Sequence, residues 1–173
     1  MIAVGRGVTI CGMTTIRAAR SAEYEAIGEI SARAYTERGN LSDDIDYTVV
    51  LRDAAGRAEH AELLVAVKGD EVLGTVTLVR HDSSYADLAR PGELEFRMLA
   101  VAPEAVGNGV GRALVEAVID RARAEGLERV VLCVRDSVKP ARRLYERLGF
   151  ERRPDRDWHP APDVHLLGYA LEL

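Results

Sequence analysis

Cysteine is scarce in this chain, since only Cys11 and Cys133 occur among its 173 residues. Cys133 lies within the apolar run VVLCV, where a free thiol behaves as a small buried hydrophobe. A chain of this length can bury a core without disulfides or a metal ion, and so few cysteines exclude a disulfide-dense scaffold. We expect a single domain in a reducing compartment.

Long apolar runs and an excess of positive charge are also missing. No apolar segment approaches transmembrane length, and the N-terminal MIAVGRGVTICGM lacks the basic start and sustained apolar core of a signal peptide. Lysine and arginine number 23 against 28 aspartates and glutamates, which gives a net charge of -5 and a pI near 5.4. This balance offers no global attraction to nucleic acid or to an anionic membrane surface. We therefore expect a soluble, cytoplasmic protein with neither partner.

The four histidines are scattered, with no pair at i, i+4 and no cysteines at metal-ligand spacing, so the sequence predicts no metal site. Repeats, low-complexity segments and linkers are absent as well. Residues 1–12 contain three glycines and no helical or alternating pattern, and we expect a disordered extension there. The rest of the chain, residues 13–173, is predicted to form one domain.

A glycine-rich loop, GNGVG, lies at Gly107–Gly111. The segment LEFRMLAVAP before it has the residues of a buried strand, and apolar residues recur at helical spacing after it as far as Gly126. A glycine loop between a strand and a helix lets the backbone approach a ligand, and the helix dipole favours a negative charge there. The sequence therefore predicts a phosphate or pyrophosphate site, with an ordinary tight turn as the structural alternative.

A dinucleotide-binding fold is the main functional competitor for this loop. In that fold the glycines open the turn directly after the strand, and an acidic residue about 20 residues further on follows a second strand. Here Pro103 to Val106 separate the strand from the glycines, and the next predicted strand, Arg129 to Arg135, ends in no isolated acid. Both differences disfavour a nicotinamide or flavin site.

The remaining patterns predict an α/β (α+β) domain with a mixed, mostly antiparallel central sheet flanked by about four helices. Further strands are predicted at TTIRAA, ELLVAVKG, VLGTVTLVR and VHLLGYALEL. Helices are predicted after Ser21, through Val50 and Leu51, and from Asp136 or Ser137 to Gly149. The segments HDSSYADLARPGE and ERRPDRDWHPAPD are predicted to be loops.

Two motifs carry a family resemblance. The strand LAVAP with GNGVGRAL, and a later helix ending in ARRLYERLGF, closely resemble the GNAT superfamily of acetyl-CoA-dependent N-acetyltransferases, in the order and spacing of that family. The resemblance covers the chain from about Met13 to the C-terminus. It implies a GNAT-like fold with acetyl-CoA as co-substrate and no metal, and it says nothing about the acyl acceptor.

The resemblance assigns the cofactor contacts chiefly to backbone groups. Seven loop residues would cradle the pyrophosphate through main-chain N–H groups: Val106, Gly107, Asn108, Gly109, Val110, Gly111 and Arg112. Leu99, Ala100 and Val101 would pair with the pantetheine arm as if it were an extra strand. The family commonly carries Arg or Gln at the position of Val106, and we expect weaker cofactor binding here rather than its loss.

Tyr145 in LYERLGF matches the family's candidate general acid, which would protonate the departing thiolate. The structural alternative is core packing, because four residues recur on one helix face: Ala141, Leu144, Tyr145 and Leu148. Arg142 and Arg143, near the start of that helix, are interpreted as solvated rather than as contacts to a cofactor phosphate.

Glu95 is the candidate base, on the strand expected to border the active site. Glu93 and Arg97 lie two residues away on the same side, so an ion-paired sheet face is an equal alternative. Three acids before the second helix could attract a cationic acceptor, although a helix N-terminus favours acids for its own reasons: Asp43, Asp44 and Asp46.

The sequence therefore predicts an N-acetyltransferase that passes an acetyl group from acetyl-CoA to the primary amine of a small molecule or peptide by direct attack. Its acceptor pocket is expected from three variable segments: Tyr35 to Tyr47, His81 to Gly92 and Arg153 to Asp163. The alternative is a non-catalytic module that senses acyl-CoA, which the same loop and strand would serve. The acceptor, the pathway and the oligomeric state, a homodimer included, are left open.

Overall fold

The computed structural model of the chain describes residues 8–10, 14–37 and 45–173, with side chains described for 14–37 and 47–173. The strands in these segments join in one sheet. They are β1 (Val8–Ile10), β2 (Thr14–Ala18), β3 (Glu62–Lys68), β4 (Glu71–Arg80), β5 (Glu93–Val101), β6 (Arg129–Arg135), β7 (Glu151–Arg152), β8 (Trp158–Ala161) and β9 (Val164–Glu172). Their spatial order is β1-β2-β3-β4-β5-β6-β9-β7, with β8 paired to β9.

The pairing of β5 with β6 is parallel, and every other described strand pair is antiparallel. The prediction of a mixed, mostly antiparallel sheet is therefore confirmed. A parallel pair needs a crossover connection, and here the glycine loop and the helix that follows it supply one. The sequence motif thus lies at the one described place where neighbouring strands run in the same direction.

The α-helices of the described segments are α1 (Tyr24–Glu37), α2 (Ile45–Arg52), α3 (Ala54–His60), α4 (Val110–Ala124) and α5 (Lys139–Arg147). Helices cover both faces of the sheet. On β3, Leu63 and Val65 pack with Ile27 of α1, whereas Leu64 and Ala66 belong to a larger apolar cluster that includes the buried face of α4. This alternation follows from the period of two along a strand. No helix within the described segments is long and apolar enough to cross a membrane.

Helix α3 was not predicted, because its residues AAGRAEH are short of apolar periodicity. Capping stabilises it instead: Asp53 accepts a hydrogen bond from the Gly56 N–H at 2.8 Å. The buried Arg57 side chain donates to the carbonyl oxygens of Val50 and Leu51, both at 2.8 Å, and so satisfies the C-terminal end of α2.

Three further segments differ from the sequence prediction. The tail predicted to be a loop contains β7 and β8, because β9 offers hydrogen-bonding partners to both. Helix α5 begins at Lys139 rather than at Asp136 or Ser137, with Pro140 in its first turn. Residues 8–10 pair with β2, while the rest of the predicted extension, 1–7 and 11–12, lies outside the described segments.

Candidate active site

The sheet opens at its centre, where β5 and β6 part. The two strands pair from Glu93 with Arg129 to Glu95 with Val131, and no pairing is described beyond that point. Immediately after it, β5 carries a bulge: Arg97 and Ala100 pair with Thr77 and Thr75 of β4, so Met98 and Leu99 face a single residue of that strand. Met98 has φ +52°, in the left-handed region that non-glycine residues rarely adopt. The bulge thus lies directly beside the gap.

A cavity of about 260 Å³ occupies this gap. Phe96 and Val134 line it and also belong to the apolar cluster around α4, so they mark the side of the sheet that α4 and α5 cover. Arg97 and Cys133, the neighbours of Phe96 and Leu132 along the strands, point to the opposite face and line the cavity from there. The cavity therefore connects the two faces of the sheet. We call them the helix side, toward α4 and α5, and the acceptor side.

The glycine loop opens α4 on the helix side. Gly107 and Gly109 have φ of +89° and +79°, and no described atom lies within 4 Å of the position that a Cβ would take at either residue. Gly109 is the N-cap of α4, and Val106 beside the loop is 54 % exposed. Within the described segments, five loop amides donate to no acceptor: Gly107, Gly109, Val110, Gly111 and Arg112. Exposed, unpaired N–H groups at a helix N-terminus form a site for an anion.

Gly111 has a different reason for being glycine. Its φ is not in the left-handed region, and a Cβ there would meet Val101 Cγ2 at 3.5 Å and Leu144 Cδ2 at 3.8 Å, which are ordinary contacts. A side chain would therefore disturb the loop backbone more at Gly107 or Gly109 than at Gly111. Arg112 pairs with Glu116 one turn later at 2.8 Å, on the exposed face of α4.

Tyr145 of α5 lines the cavity from the helix side and is 5 % exposed. Its ring packs edge-on against Phe96 and Phe150, with ring centroids 5.6 and 6.0 Å apart, and lies 6.5 Å from the ring of Tyr169. The position of Tyr145 is compatible with both core packing and a role as general acid, because the ring is part of the aromatic core and the residue also borders the gap. Of the predicted pantetheine-binding residues Leu99, Ala100 and Val101, Leu99 lines the cavity, as Tyr145 does.

Glu95 lies at the last paired position before the gap and is 0 % exposed, but it is not among the residues that line the cavity. Its Oε2 accepts three backbone N–H groups, from Asp87 at 3.0 Å, Leu88 at 2.8 Å and Ala89 at 3.0 Å. Its Oε1 has no hydrogen-bond partner within the described segments. Burial raises the pKa of Glu95, although the Leu88 and Ala89 amides and the nearby Arg97 oppose that rise.

The neighbours of Glu95 on β5 hold the same loop, His81 to Gly92. Arg97 donates to the carbonyl oxygen of Tyr85 and pairs with Asp87 at 2.7 Å. Glu93 forms a two-bond pair with Arg156, at 2.7 Å for each bond, and a third bond with Arg129 at 2.6 Å. Burial alone would raise the pKa of Glu93, but these arginines lower it to about 2. The charged side chains of β5 therefore hold the loop His81 to Gly92 in place beside the acceptor side.

The acceptor side contains residues from two of the three segments that the sequence assigned to the acceptor pocket. Tyr35 and Tyr47 meet with ring centroids 6.1 Å apart, and burial raises the pKa of both hydroxyls. Trp158 lies on β8, and burial raises the pKa of Cys133 to about 11 despite the opposing effect of that indole. No local pattern marks them as neighbours. Tyr35, Tyr47 and Trp158 lie in the expected acceptor segments Tyr35 to Tyr47 and Arg153 to Asp163, whereas Cys133 does not.

Other predicted positions have no role in the cavity. Arg142 donates to Asp136 at 2.7 Å and to the Tyr169 hydroxyl at 3.3 Å, so it is paired within the protein, and Arg143 is exposed. The loop His81 to Gly92 contributes no residue to the cavity wall, although it holds Arg97 in place. Asp43 and Asp44 lie outside the described residues, as does the side chain of Asp46.

Comparison with known proteins gives a consistent result. The sequence model of the acetyltransferase (GNAT) family matches residues 24–150. A mycothiol acetyltransferase of Actinosynnema mirum is 34 % identical over 134 residues, which cover 75 % of this chain and 41 % of that protein. A second, from Geodermatophilus obscurus, is 31 % identical and is matched over 42 % of its length, with 76 % of this chain covered. The chain thus spans about two fifths of these curated relatives.

Solved structures share the fold at low identity. An acetyltransferase of the GNAT family from Staphylococcus aureus Mu50 superposes with a TM-score of 0.73 at 17 % identity, covering 92 % of this chain and 99 % of that one. The structure of yncA from Salmonella typhimurium with its cofactor acetyl-CoA gives a TM-score of 0.69 at 24 % identity, with 94 % and 95 % covered. At these identities the likeness concerns the fold alone.

Proposed function

We propose that this chain, which belongs to the acetyltransferase (GNAT) family, is an acyltransferase that passes the acetyl group of acetyl-CoA to a primary amine of a small molecule or peptide by direct attack. The observation that carries this proposal is the cavity through the parted strands. It joins the helix side, where the unpaired loop amides lie, to an acceptor side on the opposite face, with Tyr145 on its wall. Such a passage lets two substrates meet while each keeps its own binding surface.

The loop and strand have the donors that a phosphorylated, amide-containing cofactor needs. The free amides of the five loop residues other than Asn108, from Gly107 to Arg112, suit a pyrophosphate, and the edge of β5 beyond Glu95 has unpaired backbone groups that suit the amides of pantetheine. When bound, acetyl-CoA supplies an acetyl group activated as a thioester. The chain binds and orients the cofactor through main-chain groups. Such groups do not require particular side chains.

Direct attack is supported by the state of the one cysteine at the cavity. With its pKa raised to about 11, the Cys133 thiol is almost wholly protonated at neutral pH and is a poor nucleophile. We therefore assign no covalent role to it. Tyr145 is the proposed general acid, since it is a hydroxyl-bearing residue on the cavity wall and lies within the family motif LYERLGF.

Glu95 is proposed as the base that receives the amine's proton through an intervening water. Its Oε2 is fully committed to the loop amides, so the acceptor atom would be Oε1, which lies 3.9 Å from Arg97 Nε. A raised pKa makes this carboxylate a stronger base than an ordinary glutamate. The competing role is structural, because the same side chain holds the loop that orients Arg97.

The test is a panel of amines assayed for CoA release from acetyl-CoA, with calorimetry of acetyl-CoA binding beside it. We expect release with at least one primary amine, and loss of that release when its amine is blocked. Binding of acetyl-CoA without release in any case would overturn the amine proposal and favour a module that senses the cofactor.

A further inference from the structure

The described acceptor side combines aromatic rings with positive charge. Tyr35, Tyr47 and Trp158 line the cavity there, and the other contributions of β8 and β9 to its wall are apolar. The charged side chains in the wall are those of Arg97 and Arg135, and no carboxylate lines the cavity among the residues that the structure describes. Among the described residues of this wall a polycationic acceptor finds no counter-charge, whereas an apolar or aromatic body finds matching surfaces.

The two guanidinium groups are not equivalent. Arg97 is fully engaged, with Asp87 at 2.7 Å and the Tyr85 carbonyl oxygen as partners, so it is largely neutralised. Arg135, at the end of β6, is half-buried and lines the cavity. Its side chain has no ion pair or hydrogen bond to any described residue. A partly buried guanidinium without a partner is suited to an anion that arrives with a ligand.

The position of Arg135 argues against a cofactor phosphate as that anion. Val134 packs in the apolar cluster on the helix side, where the loop from Gly107 to Arg112 lies. Arg135, the next residue along β6, points to the opposite face, as Cys133 does. The residue opposite Arg135 in the pairing of β6 with β9 is Leu166, which also lines the cavity. The anion therefore belongs to the acceptor rather than to the pyrophosphate.

We propose that the acceptor is a primary amine bearing a carboxylate and an apolar or aromatic body, such as a hydrophobic amino acid, and that Arg135 binds the carboxylate. This inference rests on the proposed amine acetylation and narrows its substrate class. Arg135 and the carboxylate form a charge-assisted pair, the rings enclose the body, and the amine is left to face the gap near Tyr145. Arg135 is thus a specificity-determining residue.

The experiment compares acceptors that differ in the carboxylate alone. L-Phenylalanine and phenethylamine share the ring and the amine, L-tryptophan and tryptamine form a second pair, and spermidine represents a polycation. We expect kcat/KM for each amino acid to exceed that of its decarboxylated partner by on the order of 10- to 100-fold. Arg135→Gln should bring this ratio close to one by lowering kcat/KM for the amino acids. Arg123→Gln, which removes an exposed guanidinium from α4, is the matched control and should preserve the ratio.

A binding measurement separates this inference from the proposed function. 3-Phenylpropanoate has the carboxylate and the ring but no amine, so its binding by calorimetry needs no turnover. We expect it to bind the wild type and the Arg123→Gln variant, and to bind Arg135→Gln on the order of 10-fold or more weakly. If that pattern holds while no amine releases CoA, the pocket assignment stands and the acetylation proposal fails. If phenethylamine or spermidine equals or surpasses L-phenylalanine, or if Arg135→Gln keeps the preference, the inference is overturned.

Discussion

The two sides of the cavity are built in opposite ways. The helix side comes largely from one stretch of chain, residues 93–124, and its proposed ligand-binding groups are backbone amides held by two left-handed glycines and a helix N-terminus. The acceptor side is assembled from side chains on α1, α2, β5, β6, β8 and β9. A shared cofactor can be held by groups that every residue possesses, whereas a particular acceptor needs particular side chains.

This difference predicts which substitutions act on which substrate. Changes of backbone conformation in the loop should weaken acetyl-CoA binding without regard to the acceptor. Changes of side chain on the acceptor side should alter acceptor preference and leave acetyl-CoA affinity alone. Tyr145 and Glu95 lie near the boundary, so their variants should affect turnover more than either binding step.

The largest effect is expected at Tyr145. Tyr145→Phe keeps the ring that packs against Phe96 and Phe150 and removes the hydroxyl, so kcat should fall on the order of 10² to 10⁴ if that hydroxyl protonates the thiolate. Acetyl-CoA affinity and the melting temperature should change little. Tyr169→Phe, which removes a hydroxyl from the same aromatic cluster, is the control and should retain most activity. Full activity in Tyr145→Phe would leave this tyrosine a core residue only.

Next in size is a substitution in the glycine loop. Gly109→Val places a branched side chain at φ +79°, which strains the N-cap and covers the amides, so the acetyl-CoA Kd should rise on the order of 100-fold. The strain itself costs roughly 1–2 kcal/mol of stability. Gly69→Val, at φ +61° in the turn between β3 and β4, should cost similar stability with no loss of affinity. An unchanged Kd in Gly109→Val would remove the phosphate-cradle interpretation.

A smaller, pH-dependent effect is expected at Glu95. Glu95→Gln can keep the oxygen that accepts the three loop amides, so the loop should stay in place. If Glu95 is the base, kcat/KM near neutral pH should fall roughly 10-fold, and the deficit should shrink as pH nears the amine's own pKa of about 10. A deficit that is constant with pH would assign Glu95 to positioning of the loop and Arg97 instead.

The same variant tests the sign of the pKa shift through stability. Because the folded-state pKa of Glu95 is raised above its unfolded value, the folded protein binds the proton more tightly, and stability is lost as pH rises from the unfolded pKa through the folded one. Glu95→Gln lacks this contribution. Denaturant unfolding at pH 4 and pH 7 should therefore show a smaller loss between the two pH values for the variant than for the wild type. A larger loss in the variant would contradict the desolvated state of this carboxylate.

The smallest effect concerns the one departure of the loop from the family pattern. Val106 is 54 % exposed beside the free amides, so Val106→Arg adds a cation without disturbing the core. Acetyl-CoA affinity should rise a few-fold, as expected of an exposed ion pair worth about 0.2–1 kcal/mol, and the gain should vanish in high salt. Val106→Gln, without the charge, is the matched variant. A gain that persists in high salt would point to contacts other than charge.

Sequence alone determined the parts of this protein that local patterns encode. The strand, glycine loop and α4 follow one another within about 30 residues, so their periodicities and the demand for left-handed glycines were visible together. The class of the sheet and the acetyl-CoA-dependent family also followed from these stretches and from the helix that contains Tyr145. Short elements with no periodicity, such as α3 and β8, escaped notice because tertiary contacts stabilise them: Arg57 closes the end of α2, and β9 pairs with β8.

Tertiary structure alone decided what the charged residues do. On the sequence, Glu93, Glu95 and Arg97 are three equivalent positions on one face of a strand. In the fold, Glu93 pairs with Arg156, 63 residues away along the chain, and Glu95 turns one oxygen to loop amides. Arg97 forms an ion pair with Asp87, while Arg135 lines the cavity with no ion pair to any described residue. The reason is physical: the state of a charge depends on burial and on partners within a few ångströms, and distant segments supply both.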